Sequence, residues 1–527
     1  MEGCATVEQL AALLQGWTGN VTLVLSAFTR HMLSEHTLIS ETKAQMTLLR
    51  AWIPLARAQQ AATPPLPAAV RHVVIWAAPG TPEWLGALPA HVRLAAVYVQ
   101  NHTQAATLSD GALVACPASL RSLRLVTQFL SSLPDELDRL VCLETLHLCS
   151  CFRLTRLPEA LGQLATLSEL TLRFCNQLRS LPESLGRLRS LHTLCVTACF
   201  KLTCLPESVG QLTALTTLSL HTGQGPTWAK LPEIVGRLTG LTRLQVLGID
   251  VMGWPESLGQ LEMLTMLNLL GRALTCLPES LPRLTTLVTL DLFSCTALLR
   301  LPETMGNLVQ LTTLDVSQCE AMTSLPESIG QLAALQALYA DACTALTSLP
   351  ETLGQLAALQ TLTLGHCSNL TCLPETLGRL TALRTLKLCN CDHLTRLPAS
   401  LGRLAALKTL RLSGCESLTC LPESLGQLTT LTELTLNGCT GLSVRERGRA
   451  RGVCHANQCL PEFRDSELLL VCVGLRFQQW RLPPELWLLV DTMLWQEQDE
   501  RWDGIHIGDP DDDADYGLAD DDGDLIL

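Results

Sequence analysis

Cysteine is the residue type in this chain whose spacing most readily suggests chemistry. The 527 residues include 23 cysteines, and ten of them recur at one position of a repeating pattern: Cys151, Cys175, Cys199, Cys295, Cys319, Cys343, Cys367, Cys391, Cys415 and Cys439. Regularly spaced thiols could bind metal ions or form a series of disulfides. Neighbouring strands lie about 4.8 Å apart, however, whereas the Cβ atoms of a disulfide lie about 3.8 Å apart. No Cys-x-x-Cys pair with a second pair of zinc ligands is present either, so we predict a buried column of structural thiols.

Negative charge, the second chemical feature, is concentrated at the carboxyl end. The formal net charge is −13, and residues 503–527 hold ten aspartates without a lysine or arginine, which leaves −3 for the remaining residues. Runs of aspartate can form calcium-binding loops, but here the glycine and glutamate that complete such a loop are missing. The nearly neutral remainder weighs against binding to a nucleic-acid backbone, which needs a basic surface.

Catalysis is not indicated by any arrangement of polar residues. No Ser/His/Asp, Cys/His or paired-carboxylate combination stands apart from the repeating pattern. We therefore predict that the protein is not an enzyme and that it uses no cofactor or metal. The pattern itself then has to indicate the function.

A pair of residues, Leu-Pro or once Trp-Pro, opens thirteen similar units within residues 133–444. The units follow the pattern L-P-E-x-L-G-x-L-x-x-L-x-x-L-x-L-x-x-C, and they repeat every 24 residues except for three intervals of 26, 23 and 23. The pairs begin at positions 133, 157, 181, 205, 231, 254, 277, 301, 325, 349, 373, 397 and 421. Self-similarity at this period predicts a solenoid, in which each unit packs on its neighbours.

Each unit is predicted to contain one short strand and one return segment. Leu314 and Val316 should face the core and Asp315 the solvent, because side chains alternate along a strand. Proline presets φ and suits the start of a helical or 3-10 turn, which assigns the L-P-E-x-L-G segment to the return. The glycine there should allow neighbouring units to approach closely.

The segment 311–319 matches the L-x-x-L-x-L-x-x-N/C motif of leucine-rich repeats. The thirteen units resemble those of plant intracellular disease-resistance proteins and of plant Ras-group-related leucine-rich-repeat proteins, which share the pattern LPESLGxLxxLxxLxLxxC. The resemblance implies an α/β repeat fold, a right-handed horseshoe solenoid with a parallel concave sheet, and a recognition role in defence or signalling. The chain departs from disease-resistance proteins and receptor kinases because it lacks the phosphate-binding G-x-x-x-x-G-K-[ST] motif and the kinase signatures.

Two segments precede the regular units. Residues 64–132 contain three degenerate repeats, whose strands begin near Val70, Leu94 and Leu120 and raise the expected number of strands to about sixteen. Residues 1–63 are predicted to form a helical amino-terminal cap, since apolar residues from Val7 to Trp17 share one helical face. An oligomerisation or partner-binding module is the alternative for these helices.

Three segments follow the regular units. Residues 445–460 are predicted to be a basic linker, with a nuclear-localisation or RNA-binding patch as the alternative. Residues 461–500 are predicted to form a capping helical segment, although L-P-P-E-L at 482–486 resembles the opening of an F-box, the module that docks substrate receptors onto ubiquitin ligases. Residues 501–527 are too polar to bury a core and are predicted to be a disordered acidic tail.

The outward positions of the predicted sheet map its concave surface. Threonine fills the first outward position in most units, which β-propensity explains. The later positions vary, and they supply the candidate partner-binding residues Arg173, Phe174, His221, Arg243, Gln245, Asp291, Phe293, Asp315, Tyr339, Asp341, His366, Lys387 and Arg411. An acidic centre between more basic flanks favours a protein partner with a basic segment, anchored on Phe293 and Tyr339. Drift on an exposed surface would produce similar variation.

Units within 223–272 are irregular, because the cysteine position is lost and an insertion places Trp228 in a loop at the edge of the sheet. Loops on a rigid scaffold often carry binding residues, so Trp228 is a second candidate contact. Relaxed selection on this stretch is the alternative explanation.

These features together predict a non-enzymatic scaffold for protein recognition. We expect no membrane, small-molecule or nucleic-acid partner. The first residues lack the two regions of a secretory signal, and no apolar run is long enough to span a bilayer, so we expect a cytoplasmic protein, with the nucleus as alternative. The alternative function is a substrate receptor that reaches a ubiquitin-ligase adaptor through residues 481–495.

Overall fold

The computed structural model describes residues 118–128, 130–221, 232–248, 254–443 and 446, together with the backbone of four earlier strands. The chain divides into two compact units, 1–28 with 49–462 and 29–48 with 463–527, and the second lies outside the described residues. The strands of the first unit are Val21–Ser26 (β1), Leu49–Pro54 (β2), Val70–Ala77 (β3), Leu94–Val99 (β4), Ser122–Thr127 (β5), Thr145–Cys149 (β6), Glu169–Arg173 (β7), Thr193–Thr197 (β8), Thr217–His221 (β9), Arg243–Leu247 (β10), Met266–Leu270 (β11), Thr289–Asp291 (β12), Thr313–Asp315 (β13), Ala337–Tyr339 (β14), Thr361–Thr363 (β15), Thr385–Lys387 (β16), Thr409–Arg411 (β17) and Glu433–Thr435 (β18).

These strands form one curved, open sheet in which every pair is parallel. The order of the strands follows the chain from β3 to β18, while β1 lies between β2 and β3. β3, β4 and β5 fall on the three degenerate repeats, and β6 to β18 fall on the thirteen regular units. The predicted parallel solenoid is therefore confirmed.

The amino-terminal segment differs from its prediction. β1 and β2 are strands inside residues 1–63, where the sequence predicts a helical cap, and the rest of that segment lies outside the described residues. Residues 21–26 read V-T-L-V-L-S, a run that favours a strand, and the edge of β3 offers backbone groups that need partners. Pairing at this edge extends the sheet by two strands beyond the predicted array.

The core is a continuous stack of leucines contributed by the strands and the return segments. In the central unit Leu311, Leu314 and Val316 are fully buried, whereas Asp315 lies on the opposite side of the sheet and is half-buried. The predicted alternation of inward and outward side chains is confirmed. One packing arrangement is repeated along the sheet, which explains why leucine dominates the composition.

The return segment of each regular unit contains a short 3-10 helix, as predicted. These helices are Asp135–Arg139, Glu159–Gln163, Glu183–Arg187, Glu207–Gln211, Glu233–Arg237, Glu256–Gln260, Leu281–Arg283, Met305–Asn307, Glu327–Gln331, Glu351–Gln355, Glu375–Arg379, Ala399–Arg403 and Glu423–Gln427. In most units proline precedes the first helical residue. Pro326, for example, is extended (φ −69°, ψ 148°), and its carbonyl accepts a hydrogen bond of 3.0 Å from the Ile329 N–H. Proline thus fixes the entry to the turn without removing a needed donor.

Glycine in the return segment lies against the following unit, as predicted. A Cβ atom added to Gly354 would overlap the backbone carbonyl and the Cβ of Thr376. At the corresponding position of the last unit, a Cβ added to Gly426 would meet nothing within 4 Å. The contact with the following unit therefore requires glycine at position 354.

The ten recurring cysteines form the predicted buried column, since each is at most 2% exposed. The described cysteines are free thiols. The thiol of Cys343 donates to the Val316 carbonyl at 3.1 Å, and that of Cys367 donates to the Ala340 carbonyl at 3.1 Å. Burial raises the pKa of Cys343 to about 12, so the thiol keeps the proton that it donates. Nine of the ten recurring cysteines donate to a carbonyl of the preceding unit in this way, whereas Cys151 donates to the Cys149 carbonyl of its own unit at 3.5 Å.

A second connection between units runs along the return segments. The carboxylate of Glu375 accepts hydrogen bonds from the backbone N–H of Ala399 (3.1 Å) and of Ser400 (3.2 Å) in the next unit. The bond from Ala399 makes the largest contribution to lowering the pKa of Glu375. The glutamate of the L-P-E motif therefore caps the next 3-10 helix.

Candidate functional site

The outward side chains of β5 to β18 form a surface that we call the strand face. It contains three columns of residues. In the central unit the first column passes through Thr313, the second through Asp315 and the third through Ser317, and each continues through the equivalent residues of the other strands. Because the units are in register, neighbouring residues of a column come from successive repeats. The strand face lies opposite the leucine core, so its composition is less constrained by packing.

The predicted contact residues do not all occupy equivalent positions. Gln245, Asp291, Asp315, Tyr339, Lys387 and Arg411 belong to the second column, Arg173, His221, Phe293 and Asp341 belong to the third, and Arg243 belongs to the first. Phe174 and His366 follow the strands at a position where φ is positive, 54° and 58° respectively. Most units have such a left-handed residue there, so a turn of the backbone defines this position. Trp228 lies outside the described residues.

Two aspartates of the second column form what we call the acidic pair, Asp291 and Asp315. They are direct partners on β12 and β13. Each carboxylate accepts a hydrogen bond from the backbone N–H two residues further on, Asp291 from Phe293 at 2.9 Å and Asp315 from Ser317 at 2.8 Å. Burial, followed by the charge of Asp315, raises the pKa of Asp291 to about 7. Like charges held side by side resist joint ionisation, so a cation placed between them would be favoured.

Asp341, the third acidic candidate, has a different environment. Its carboxylate accepts hydrogen bonds from the Thr363 hydroxyl (2.5 Å) and the Gly365 N–H (2.6 Å). Burial raises its pKa, while these bonds and the charges of Lys387 and His366 act in the opposite direction. The Asp341 carboxylate is therefore already hydrogen-bonded to Thr363 and Gly365. The acidic pair is the more distinctive negative feature of the strand face.

Two aromatic rings accompany the acidic pair. Tyr339 is the direct neighbour of Asp315 on β14, and Phe293 follows Asp291 by two residues. Both rings are half-buried. Burial and the nearby charges of Asp315 and Asp341 raise the pKa of Tyr339 to about 12, so its phenol stays neutral. Ring faces beside carboxylates offer cation–π contacts to a basic side chain.

The basic residues beyond Asp341 have acidic neighbours in the protein. Arg411 Nε donates to Glu433 Oε1 at 2.6 Å, and Lys387 lies close enough to Asp341 to lower its pKa. The positive flank predicted on this side is therefore partly neutralised.

A cluster on β5 to β9, which we call the basic zone, contains Arg124, His147, Arg173 and His221. His147 Nε2 lies 3.7 Å from Glu169 Oε1. Burial, followed by the charges of Arg124 and Arg173, nevertheless lowers the pKa of His147 to about 4. Burial and the charge of Arg173 also lower the pKa of His221. The two arginines thus maintain a positive field over two neutral imidazoles.

Sequence analysis did not identify Arg124 and His147 as candidates. Both lie in the second column, because Arg124 pairs with His147 and His147 pairs with Thr171. Counting back along the repeat from Asp315 would have found them, since the degenerate repeat that contains β5 keeps the register of the regular units.

Replacing Asp291 with asparagine is expected to stabilise the protein in a pH-dependent way. The folded state raises the pKa of the Asp291 carboxyl to about 7, so protonation of this carboxyl favours the folded state. The resulting stability is fully present below about pH 4 and is lost as the pH rises through about 7. Asparagine keeps the bond to the Phe293 N–H without the charge. We expect a gain of about 1–2 kcal/mol near pH 8 that vanishes near pH 4, after allowance for solvent screening.

Denaturant unfolding at several pH values measures this effect. Asp392→Asn is the control, because Asp392 is exposed and its replacement should leave the pH dependence unchanged. The same difference between Asp291→Asn and the wild type at every pH would contradict the environment described for Asp291.

Metal-ligating clusters and membrane-spanning helices are both absent from the described residues. Their His, Cys, Asp and Glu side chains include no group arranged to hold a metal ion. No described helix has the length and apolar character needed to cross a membrane.

The in-register strands, the buried leucine stack and the 3-10 returns define a leucine-rich-repeat solenoid fold. The family model described as a leucine-rich repeat region matches residues 146–258 and 292–393, so these parts of the chain are similar to that family. No curated protein sequence matches the chain. The narrower resemblance to plant disease-resistance proteins stays an expectation.

Several solved structures are similar to the chain. A leucine-rich-repeat protein of Leptospira interrogans is 25% identical, with a TM-score of 0.58 over 75% of this chain and 90% of that protein. The leucine-rich-repeat domain of a type III effector is 28% identical, with a TM-score of 0.38 over 42% of this chain and 76% of that one. Toll in the Drosophila Toll–Spätzle complex is 18% identical, with a TM-score of 0.49 over 69% of this chain and 47% of that one. The first of these supports the assignment of the fold.

Proposed function

We propose that the protein is a non-enzymatic scaffold that binds another protein through the strand face, at a basic segment of that partner. The acidic pair is the observation that carries this proposal. A lysine or arginine between Asp291 and Asp315 would gain charge-assisted hydrogen bonds and would relieve the repulsion between the two carboxylates. Tyr339 and Phe293 would add ring contacts to the same side chain.

Similarity of residues 146–258 and 292–393 to a leucine-rich repeat region supports a protein partner. A role in defence or signalling is the narrower proposal, and it depends on the resemblance of the repeat to those of plant proteins. A cytoplasmic or nuclear location is proposed as well, and the free thiols of the described cysteines suit a reducing compartment.

The second candidate function is substrate recognition for a ubiquitin ligase. It depends on L-P-P-E-L at 482–486, which lies outside the described residues. Deletion of residues 481–495 should abolish capture of an F-box adaptor if this function is correct, and failure of the full chain to capture the adaptor would eliminate it.

The binding proposal is tested with a basic peptide. The probe is a fluorescent Gly/Ser peptide with two adjacent arginines, and its anisotropy reports binding to the full chain at low ionic strength. We expect the double substitution Asp291→Asn with Asp315→Asn to weaken binding about tenfold or more, because each carboxylate loses a charge-assisted bond. The loss should be larger near pH 8 than near pH 6, because the Asp291 carboxyl of the wild type titrates at about 7.

Asp341→Asn is the matched control, since this carboxylate is occupied by Thr363 and Gly365. It should leave the affinity nearly unchanged. Equal binding by the wild type and the double variant, or a larger loss with Asp341→Asn, would rule out the acidic pair as the seat of a basic residue.

A further inference from the structure

We infer that the partner of the strand face is an extended segment with an acidic residue as well as a basic one, held by the basic zone and the acidic pair together. The inference depends on the proposed function for the basic end of the segment. It adds a second contact, on β5 to β9, that this function does not require.

The first support is the distance between the two charged regions. Arg173 ends β7, whereas Asp291 and Asp315 end β12 and β13, which places them five and six strands further along the sheet. At about 4.8 Å per strand, the separation is about 24–29 Å. An extended chain advances about 3.3 Å per residue, so about eight residues separate the two charges of a matching segment.

The second support is the local electrostatics of the basic zone. Arg124 is the register partner of His147, and Arg173 lies two residues beyond Thr171, the partner of His147 on the other side. Burial, followed by the charges of both arginines, keeps His147 neutral although Glu169 is near. A carboxylate placed over His147 would meet two guanidinium groups and an imidazole that can donate a hydrogen bond. Complementary charge of this kind favours an acidic occupant.

The third support is the asymmetry of the strand face. On the side of the acidic pair away from the basic zone, Arg411 is bound to Glu433 and Lys387 acts on Asp341. On that side the carboxylates of Glu433 and Asp341 would repel an acidic group of a partner. The acidic end of the segment should consequently lie towards β5 and its basic end towards β13.

The surface between the two regions suits an uncharged spacer. The second column of β8 to β11 consists of Cys195, Ser219, Gln245 and Asn268. Among the outward side chains of these strands the formally charged one is Arg243, which lies in the first column. Small polar residues of a partner would cross this stretch without burying an unpaired charge.

The test compares fluorescent Gly/Ser peptides in anisotropy titrations of the full chain at low ionic strength. One peptide carries two arginines alone, and the others carry two glutamates and two arginines separated by about three or about eight residues, in both chain directions. We expect one direction of the longer-spaced peptide to bind about five to ten times more tightly than the arginine-only peptide. The shorter-spaced peptide should show no such gain.

The double variant Arg124→Gln with Arg173→Gln supplies the control on the protein side. It should lose the gain from the glutamates yet bind the arginine-only peptide as the wild type does, which also shows that it is folded. Equal affinity for the two spacings, or a gain that survives in this variant, would overturn the inference.

The remaining outcomes separate this inference from the proposed function. If the arginine-only peptide does not bind, the proposed function fails and the inference fails with it. If that peptide binds and spacing has no effect, only the inference fails.

Discussion

Leu338→Ala is expected to reduce the stability of the protein by about 2–4 kcal/mol. Leu338 is fully buried on β14, and its register partners on the flanking strands are Leu314 and Leu362. Truncation removes apolar contacts and leaves a cavity that regular units on both sides cannot fill by collapsing. The midpoint of denaturant unfolding, together with amide hydrogen exchange of the neighbouring strands, measures the loss.

Leu434→Ala is the matched control for this substitution. Leu434 occupies the same repeat position on β18, where it is only partly buried against the core. We expect about 1 kcal/mol or less there. Equal losses at the two positions would show that burial by neighbouring units does not set the stability of the repeat.

Gly354→Ala is expected to destabilise the protein by about 1–3 kcal/mol although the substitution adds a single methyl group. The added Cβ would overlap backbone atoms of Thr376, and a backbone contact cannot be relieved by a change of rotamer. The return segments of the two units would have to separate, which would disturb the hydrogen bond of 2.6 Å that the Thr376 hydroxyl donates to the Glu351 carbonyl. Thermal unfolding of the full chain measures the effect.

Gly426→Ala is the corresponding control, because no atom lies within 4 Å of the added Cβ. Alanine should leave stability unchanged or raise it by a few tenths of a kcal/mol, since it restricts the unfolded chain. If Gly354→Ala were as harmless as Gly426→Ala, close approach would not be the reason for glycine at this position.

The regular part of the fold could be predicted because its signal is repeated. The orientation of Leu314, Asp315 and Val316 follows from alternation along one strand, and each equal-length unit repeats the same argument. The helical prediction for residues 1–63 was wrong at β1 and β2 because the edge of β3 supplies tertiary pairing that local periodicity does not register. The remaining terminal predictions and Trp228 lie outside the described residues.

The positions of the candidate residues in the sheet could be predicted from the sequence. The charge that each residue presents could be predicted less well. Equal spacing of the units placed Asp291 beside Asp315 and Tyr339 beside Asp315. The difference between Asp341 and the acidic pair depends on contacts with Thr363 and Gly365 that no repeat pattern specifies. Pairing of Arg411 with Glu433 likewise depends on the geometry of the two side chains.

The register of the repeat has a consequence for how the gene can evolve. Unequal recombination that removed residues 254–276 would delete one whole unit and would place Gln245 of β10 beside Asp291 of β12. The basic zone and the acidic pair would then lie one strand closer, by about 4.8 Å, with every contact residue retained. Gain or loss of a unit would therefore change the length of segment that the protein prefers in single-strand increments, without mutation of the residues that bind it.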